Sequence, residues 1–297
     1  MPLTVKPKNP SNPLFAAEVT GVDLSQPVAD NVIVEIIAFM DIYAVGVFPG
    51  QKLSDEMQVA FSKCLGPVRP SRKNLRPGYK HRIDMQLSDV SNLTPGNEIR
   101  EHDDYYRLSD LGNRLWHTDS SFKATPAMYS LLSARKVPSW GGETQFADLR
   151  AAYDALPEGK KKEIEDMIAM HAIMYSREKV GFTDFMQAER DLQPPVPQLI
   201  VRTHPGSGRK TLYLAAHAGE VVGMPLPEGR ILLLDLIDHA TQPQFIYTHN
   251  WNVDDLVIWD DRCTMHRARE FDMNEVRDMR RATVQDVAPT IEQEKAG

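Results

Sequence analysis

Short apolar segments separated by turn-forming residues are the feature that most limits the fold of this chain. Their length and their β-branched or aromatic content are typical of strands. They comprise Phe15–Leu24, Tyr43–Phe48, Met128–Leu132, Thr144–Phe146, Leu199–Thr203, Thr211–Ala216, Phe245–His249 and Leu256–Trp259. Many short strands with few helices predict a mainly β fold with flanking helices, of the double-stranded β-helix type (jelly roll, cupin-like).

Four helices are predicted around these strands. Asp30 can cap a helix whose apolar residues recur at helical spacing, and Ser54 can cap a second helix that stops before Gly66. Two more are expected at 150–170, broken near Pro157, and at 228–239. With no internal repeat or change of composition, residues 1–297 are predicted to form one domain, with residues 1–13 and 284–297 at its periphery.

Composition indicates a protein of the cytoplasm that binds neither nucleic acid nor membrane. The net charge of −7 argues against nucleic-acid binding. The two cysteines supply no disulfide framework. No apolar run approaches the roughly 18–20 residues that span a bilayer, and the N-terminus lacks the apolar region of a signal peptide.

The stretch Leu115–Phe122 (LWHTDSSF) contains the first candidate metal ligands. If it is a strand, His117 and Asp119 point to the same face, since side chains alternate along a strand. One imidazole and one carboxylate are two thirds of a facial triad, and one more histidine would leave three positions open on a six-coordinate Fe(II). Alone, the pattern also fits a strand with two ordinary polar residues.

The third ligand is expected far downstream, in the stretch Trp259–Thr283. His266 follows a predicted strand and a tight polar turn, which suits a ligand at the mouth of a barrel. Arg277 and Arg281 lie four residues apart, so they share a helical face or approach one pocket from a strand end. A guanidinium binds carboxylates in a bidentate manner. The alternative for these arginines, and the favoured one for Arg280, is a solvated face.

A basic segment, Val68–Arg82, interrupts an otherwise acidic chain. It contains six Lys or Arg residues and no acidic one, and its prolines disfavour regular structure. One interpretation is a solvated surface loop. The other is that residues 67–115 form an active-site lid that attracts an anionic substrate.

Four separated motifs, in order, resemble the Fe(II)/2-oxoglutarate-dependent dioxygenases of the taurine dioxygenase type. They are WHTDSSF (116–122), GGETQF (141–146), VRTHPGSGRK (201–210) and WDDRCTMHRA (259–268), and the resemblance extends from Leu14 to Thr283. Further stretches, such as DLRAAYDALP and HAGEVVGMPLPEGR, are most similar to members that act on 2,4-dichlorophenoxyacetate.

The resemblance implies a role for each candidate residue. His117, Asp119 and His266 would bind Fe(II). Thr144 and Arg281 would bind the distal carboxylate of 2-oxoglutarate, and Arg277 would lie near the end that chelates iron. The enzyme would use O₂ to oxidise an organic substrate beside the metal.

The expected substrate is a small anionic aromatic acid, namely an aryloxyacetate that is split into a phenol and glyoxylate. Its predicted contacts are His217, Arg72, Lys73, Asn113 and Ser91. Taurine, an alkyl sulfate or another small organic acid is the alternative substrate. A zinc hydrolase and a non-catalytic cupin-like protein that has kept a metal are the rival classes. A homo-oligomer is expected.

Overall fold

A computed structural model describes residues 3–71 and 80–293. Its strands are β1 Thr4–Pro7, β2 Ala17–Thr20, β3 Val45–Phe48, β4 Ser88–Ser91, β5 Ala127–Lys136, β6 Thr144–Asp148, β7 Ile168–His171, β8 Val196–Leu199, β9 Val201–Thr203, β10 Lys210–Leu212, β11 Ala218–Val221, β12 Ile246–His249, β13 Leu256–Asp260, β14 Thr264–Ala268 and β15 Asp278–Gln285. Its helices are α1 Asp30–Tyr43, α2 Asp55–Leu65, α3 Tyr105–Asp110, α4 Leu149–Asp154, α5 Glu158–Ile164, α6 Ile173–Glu178, α7 Gln187–Asp191, α8 Leu226–Ala240 and α9 Thr290–Gln293.

The strands form one large sheet and three small ones. The large sheet has the order β1-β2-β3-β13-β5-β15-β4 and is antiparallel except where β2 pairs with β3. The small sheets have the orders β12-β6-β14, β11-β7-β8 and β10-β9. The mainly β architecture with flanking helices is therefore confirmed. Within the described part of the chain, no helix is long and apolar enough to cross a membrane.

The large sheet and the β12-β6-β14 sheet enclose a shared core. Val47 and Leu132 of the large sheet are buried in one cluster with Phe146 and Tyr247 of the smaller sheet. The other face of the large sheet is covered by α1 and α2, whose Phe39 and Phe61 are buried against Leu131 and Val284 among others. Because the sheet is covered on both faces, all five residues of β13 and residues 129–134 of β5 are buried.

Several predicted elements differ from the observed ones. Asp30 begins α1 without capping it by its side chain, whereas Ser54 caps α2, its hydroxyl accepting a hydrogen bond from the Met57 amide at 3.2 Å. The helix predicted at 150–170 is broken at Pro157, as expected, but its last residues form β7. A strand forms there instead of a helix because β7 pairs on both sides, with β8 and β11, so that its backbone groups are hydrogen-bonded within the sheet.

Both predicted peripheral segments contribute to the structure. Residues 4–7 form β1, the edge strand that pairs with β2. At the other end, Val284 is fully buried and Asp286 pairs with Arg202 at 3.0 Å. The sequence alone did not indicate the ion pair, because Arg202 and Asp286 lie 84 residues apart along the chain.

Candidate active site

Three potential metal ligands meet between the two facing sheets. His266 lies on β14, and His117 forms an isolated bridge with it, with backbone N···O distances of 2.9 and 2.8 Å. The segment that contains His117 is extended only at this pair and turns at Asp119, so the strand predicted there is shorter than expected. His117 Nε2 lies 3.9 Å from Asp119 Oδ1, and His266 Nε2 lies 3.7 Å from Asp119 Oδ2.

The electrostatics of these three groups suit a metal ion. Burial lowers the pKa of both His117 and His266, which keeps the imidazoles neutral with lone pairs available. Burial by itself would raise the pKa of Asp119, but Arg281 and the two histidines outweigh this effect. The pKa of Asp119 is therefore lowered, and the carboxylate is charged. One ligand atom from each residue lies within 4.8 Å of the others. Two imidazoles and one carboxylate are the donor set of non-haem Fe(II) oxygenases.

Neighbouring groups fix the orientation of the candidate ligands. His117 Nδ1 donates a hydrogen bond to the Leu115 carbonyl at 2.8 Å, which leaves the Nε2 lone pair directed at the cluster. Ser130 Oγ, on β5, donates to Asp119 Oδ2 at 2.8 Å, and the Asp119 amide donates to Asp261 at 3.0 Å. His266 Nδ1 is buried without a hydrogen-bond partner among the described residues.

Two arginines reach the same space from the β15 side. Arg281 lies on β15 and Arg277 directly precedes it, so both face the space between the sheets, along with the buried Met279. Arg281 Nη1 donates to Asp119 Oδ1 at 2.5 Å. Arg280 points to the opposite face, where it pairs with Asp55 at 2.9 Å. Its side chain is only 15% exposed, so the solvated face expected for it is instead a partly buried ion pair.

Arg277 is a buried cation that has no carboxylate partner among residues 3–71 and 80–293. Its side chain makes one long hydrogen bond, to the Val90 carbonyl at 3.4 Å, and burial lowers its pKa to about 10. It lies over Gly142, where a Cβ atom would be 3.4 Å from Arg277 Nε. Thr144, two residues further, accepts a hydrogen bond from Trp251 Nε1 at 3.0 Å. From the sequence, Thr144 is expected to act with Arg281. The structure places Arg277 beside Gly142, two residues from Thr144, and Arg281 beside Asp119, and all three side chains line one cavity.

A cavity of about 690 Å³ opens in front of the cluster. Three of the predicted substrate contacts, His217, Asn113 and Ser91, line it. The other two, Arg72 and Lys73, lie outside the described residues. Its wall also includes apolar side chains, among them Phe122, Ile173, Phe185, Phe271 and Met273.

Arg177, on α6, is a cavity residue that sequence reasoning missed. Its helix has only six residues, too few to show a periodic pattern, so no local signal distinguished it from a surface arginine. Its guanidinium donates to Asn113 Oδ1 at 2.9 Å and to Ser176 Oγ at 3.0 Å. The same hydroxyl lies 2.9 Å from His217 Nδ1.

A second group of potential ligands, His204, Asp260 and Cys263, is a structural network. His204 Nε2 contacts Asp260 at 2.9 Å, and Arg262 binds the same carboxylate through Nε and Nη2, at 2.9 and 2.5 Å. Burial raises the pKa of the Cys263 thiol, which favours the protonated form that does not bind metals. The Asp260 carboxylate is fully occupied by protein donors.

Neutral imidazoles, a charged carboxylate and a buried unpaired guanidinium on one cavity define the site of a non-haem iron oxygenase with an acidic cosubstrate. A model of the family described as "Taurine catabolism dioxygenase TauD, TfdA family" matches residues 5–283. The chain belongs to this family. It is an oxidoreductase, a dioxygenase that uses Fe(II), 2-oxoglutarate and O₂.

Individual relatives agree with this assignment. The chain is 45% identical over 283 residues to the alpha-ketoglutarate-dependent 2,4-dichlorophenoxyacetate dioxygenase of Cupriavidus pinatubonensis, across 94% of this chain and 98% of that protein. It is 37% identical over 279 residues to the (S)-phenoxypropionate/alpha-ketoglutarate-dioxygenase of Sphingobium herbicidovorans, across 91% of each. The crystal structure of AAD-2 in complex with Mn(II) and N-oxalylglycine superimposes with a TM-score of 0.94, at 46% identity, across 98% of this chain and 100% of that one. These relatives do not support a zinc hydrolase or a non-catalytic cupin.

Proposed function

We propose that this dioxygenase hydroxylates an aryloxyacetate at the carbon next to the ether oxygen, which releases a phenol and glyoxylate. The observation that carries the proposal is one cavity that contains both the three-ligand cluster and buried guanidiniums beside apolar walls. Relatives named for 2,4-dichlorophenoxyacetate and phenoxypropionate support the same substrate class.

His117, Asp119 and His266 are the proposed ligands of Fe(II). All three side chains are buried, the imidazoles are neutral and the Asp119 carboxylate is held in place. A divalent cation would accept the free lone pairs of these ligand atoms. When bound there, Fe(II) activates O₂ for the oxidative decarboxylation of 2-oxoglutarate. The contribution of the protein is to position both organic molecules and to keep bulk water from the reacting carbon.

Arg277 and Thr144 are the proposed partners of the distal carboxylate of 2-oxoglutarate. Arg277 supports this role because it is buried with no carboxylate among the described residues to neutralise it. Thr144 supports it because its hydroxyl accepts from Trp251 and so keeps its own proton available for a further acceptor. Arg281 is assigned to the metal end of the cosubstrate, where it already holds Asp119.

The proposed substrate fills the rest of the cavity. Its aryl ring would pack against the apolar wall that includes Phe122 and Phe185, and its carboxylate would lie on the side of Asn113. The CH₂ group between ring and carboxylate would then face the metal cluster. A double-stranded β-helix is the proposed fold, since the two facing sheets enclose the site between them.

The reaction balances as aryloxyacetate, 2-oxoglutarate and O₂ giving the α-hydroxylated aryloxyacetate, succinate and CO₂. One oxygen atom enters the C–H bond of the substrate and the other enters succinate. The hydroxylated product is a hemiacetal, and it separates into the phenol and glyoxylate without a further oxidant.

A substrate panel tests the proposal. Purified enzyme is supplied with Fe(II), 2-oxoglutarate and O₂, together with 2,4-dichlorophenoxyacetate, an arylacetate, taurine or an alkyl sulfate. We expect phenol and glyoxylate in equal amounts to succinate for the aryloxyacetate. If taurine releases sulfite faster than the aryloxyacetate releases phenol, the substrate assignment is wrong and the family chemistry stands.

The cellular setting and assembly are also proposals. We propose a cytoplasmic enzyme, since the exposed Cys64 and the buried Cys263 are both free thiols. We further propose that the chain forms a homo-oligomer, which light scattering at several concentrations would test.

A further inference from the structure

Arg177 is a second buried cation in the cavity. Its side chain lies within hydrogen-bond distance of only neutral groups, Asn113 Oδ1 and Ser176 Oγ, and its Nε has no hydrogen-bond partner in the described structure. No carboxylate of a described residue forms an ion pair with it. Burial lowers the pKa of Arg177, and the Asp110 and Asp119 carboxylates counteract this only from a greater distance. An unpaired guanidinium in such a place is costly unless an anion joins it.

The local backbone holds the guanidinium at the cavity wall. Gly112 lies directly beneath the side chain, where a Cβ atom would be 2.8 Å from both Cδ and Nη1 of Arg177. The two hydrogen bonds to Asn113 and Ser176 fix two of the nitrogens of the planar fork. The group is therefore preorganised and does not have to be recruited from solvent.

Ser176 shows which neighbouring side chain can donate to an anion. Its hydroxyl has one proton, and the Ile173 carbonyl at 2.8 Å can only accept that proton. His217, 2.9 Å from the same oxygen, must then donate through Nδ1, so its Nε2 carries a lone pair. A lone pair repels a carboxylate. Of the two side chains that are hydrogen-bonded to Ser176 Oγ, Arg177 and His217, only Arg177 can therefore donate a hydrogen bond to an anion in the cavity.

The two arginines that reach the cavity from the β15 side have their own partners. Arg281 holds Asp119 at 2.5 Å, and Arg277 is assigned to the cosubstrate. A reaction that brings in one more carboxylate, that of the organic substrate, needs one more cation. We infer that Arg177 binds the substrate carboxylate, an assignment that rests on the proposed function.

The test compares binding of an acid and its neutral amide to the complex with Fe(II) and 2-oxoglutarate under anaerobic conditions. Calorimetry measures 2,4-dichlorophenoxyacetate and 2,4-dichlorophenoxyacetamide with the wild type, Arg177→Met and Arg177→Lys. For Arg177→Met we expect the Kd of the acid to rise at least about 30-fold, or about 2 kcal/mol. The Kd values of the amide and of 2-oxoglutarate should change by less than about threefold. Arg177→Lys should recover part of the loss, because it keeps the charge without the fork.

Stability measurements separate this role from a structural one. Arg177→Met removes an uncompensated buried charge, so the melting temperature without ligands should be unchanged or higher. Arg202→Met is the matched control, since Arg202 is buried, lies outside the cavity lining and pairs with Asp286. It should melt at a lower temperature and bind the acid as the wild type does.

The outcomes distinguish this inference from the proposed function. Wild-type affinity of Arg177→Met for the acid, or an equal loss for acid and amide, would overturn the role of Arg177. If the wild type itself does not bind the aryloxyacetate and oxidises a different carboxylic acid, the substrate proposal fails. The same comparison of Arg177→Met with the wild type, made with that acid and its amide, then decides the role of Arg177.

Discussion

Replacing Arg277 by Gln should selectively abolish tight binding of 2-oxoglutarate. The guanidinium is buried, makes a single 3.4 Å hydrogen bond and lies over Gly142, next to the Thr144 segment. No carboxylate of a described residue pairs with Arg277, so a carboxylate that enters this space would supply its missing counter-charge. Glutamine keeps a polar side chain of similar shape but removes the charge and the fork.

The magnitude follows from the cost of burial. Burial lowers the pKa of Arg277 to about 10, which corresponds to about 3 kcal/mol of free energy against the charged side chain. Pairing with a carboxylate recovers energy of this order, and removing one partner of a buried charge pair costs about 2–5 kcal/mol. The Kd of 2-oxoglutarate should therefore rise by roughly 30-fold to several thousandfold. Without ligand, the variant should be at least as stable as the wild type, because a buried unpaired charge is gone.

Anaerobic calorimetry with Fe(II) measures the Kd directly, and thermal melting measures stability. Arg280→Gln is the matched control, since Arg280 lies on β15 and faces away from the cavity toward Asp55. It should bind 2-oxoglutarate normally. If Arg277→Gln kept the wild-type Kd while Arg281→Gln lost it, the distal carboxylate would belong to Arg281, as the sequence alone suggested.

Three further predictions concern single interactions. Thr144→Val should weaken 2-oxoglutarate binding by about 1 kcal/mol, the usual worth of one hydrogen bond, in the same calorimetric assay. Arg82→Met should lower the free energy of unfolding in urea by about 3–5 kcal/mol, because it removes the buried guanidinium that contacts the Asp89 and Asp278 carboxylates at 2.8 and 2.6 Å. Burial by itself would raise the pKa of Asp278, but Arg82 and Arg280 outweigh this effect, so that the pKa of Asp278 is lowered. The stability from this carboxylate is present above about pH 4 and should be lost as pH falls through the lowered pKa; unchanged urea midpoints down to pH 2 would contradict this.

Local sequence patterns predicted the candidate ligands because metal chemistry needs specific residue types at short spacing. His117 and Asp119 are two residues apart, and an extended backbone at His117 brings both side chains to one place, although the expected strand ends there. His266 was predicted from its position after a strand and a turn, and β14 confirms that position in the fold. The mainly β architecture was predictable for the same reason, since strand periodicity is local.

Contacts between distant segments were not predictable in this way. Which of Arg277 and Arg281 lies nearer to Thr144 depends on how β15 is aligned with β4 and β5, since both arginines face the same side of the sheet. The position of Arg177 in the cavity depends on the packing of α6 against the 3₁₀ turn at 111–114. Neither segment alone carries a sequence pattern that predicts this packing. Residues 168–171 formed a strand because of partners at 196–199 and 218–221. In each case tertiary pairing overrides local propensity.

Oxygen uptake, measured together with succinate in wild type and Asp119→Ala, tests the central claim most directly. We predict uptake only when Fe(II) and 2-oxoglutarate are both present, with one succinate formed for each O₂ consumed. In Asp119→Ala we predict loss of this turnover together with loss of Fe(II) binding in equilibrium dialysis, because the charged ligand held by Ser130 and Arg281 is absent. Full Fe(II)-dependent turnover in Asp119→Ala, or uptake by the wild type without 2-oxoglutarate, would contradict it.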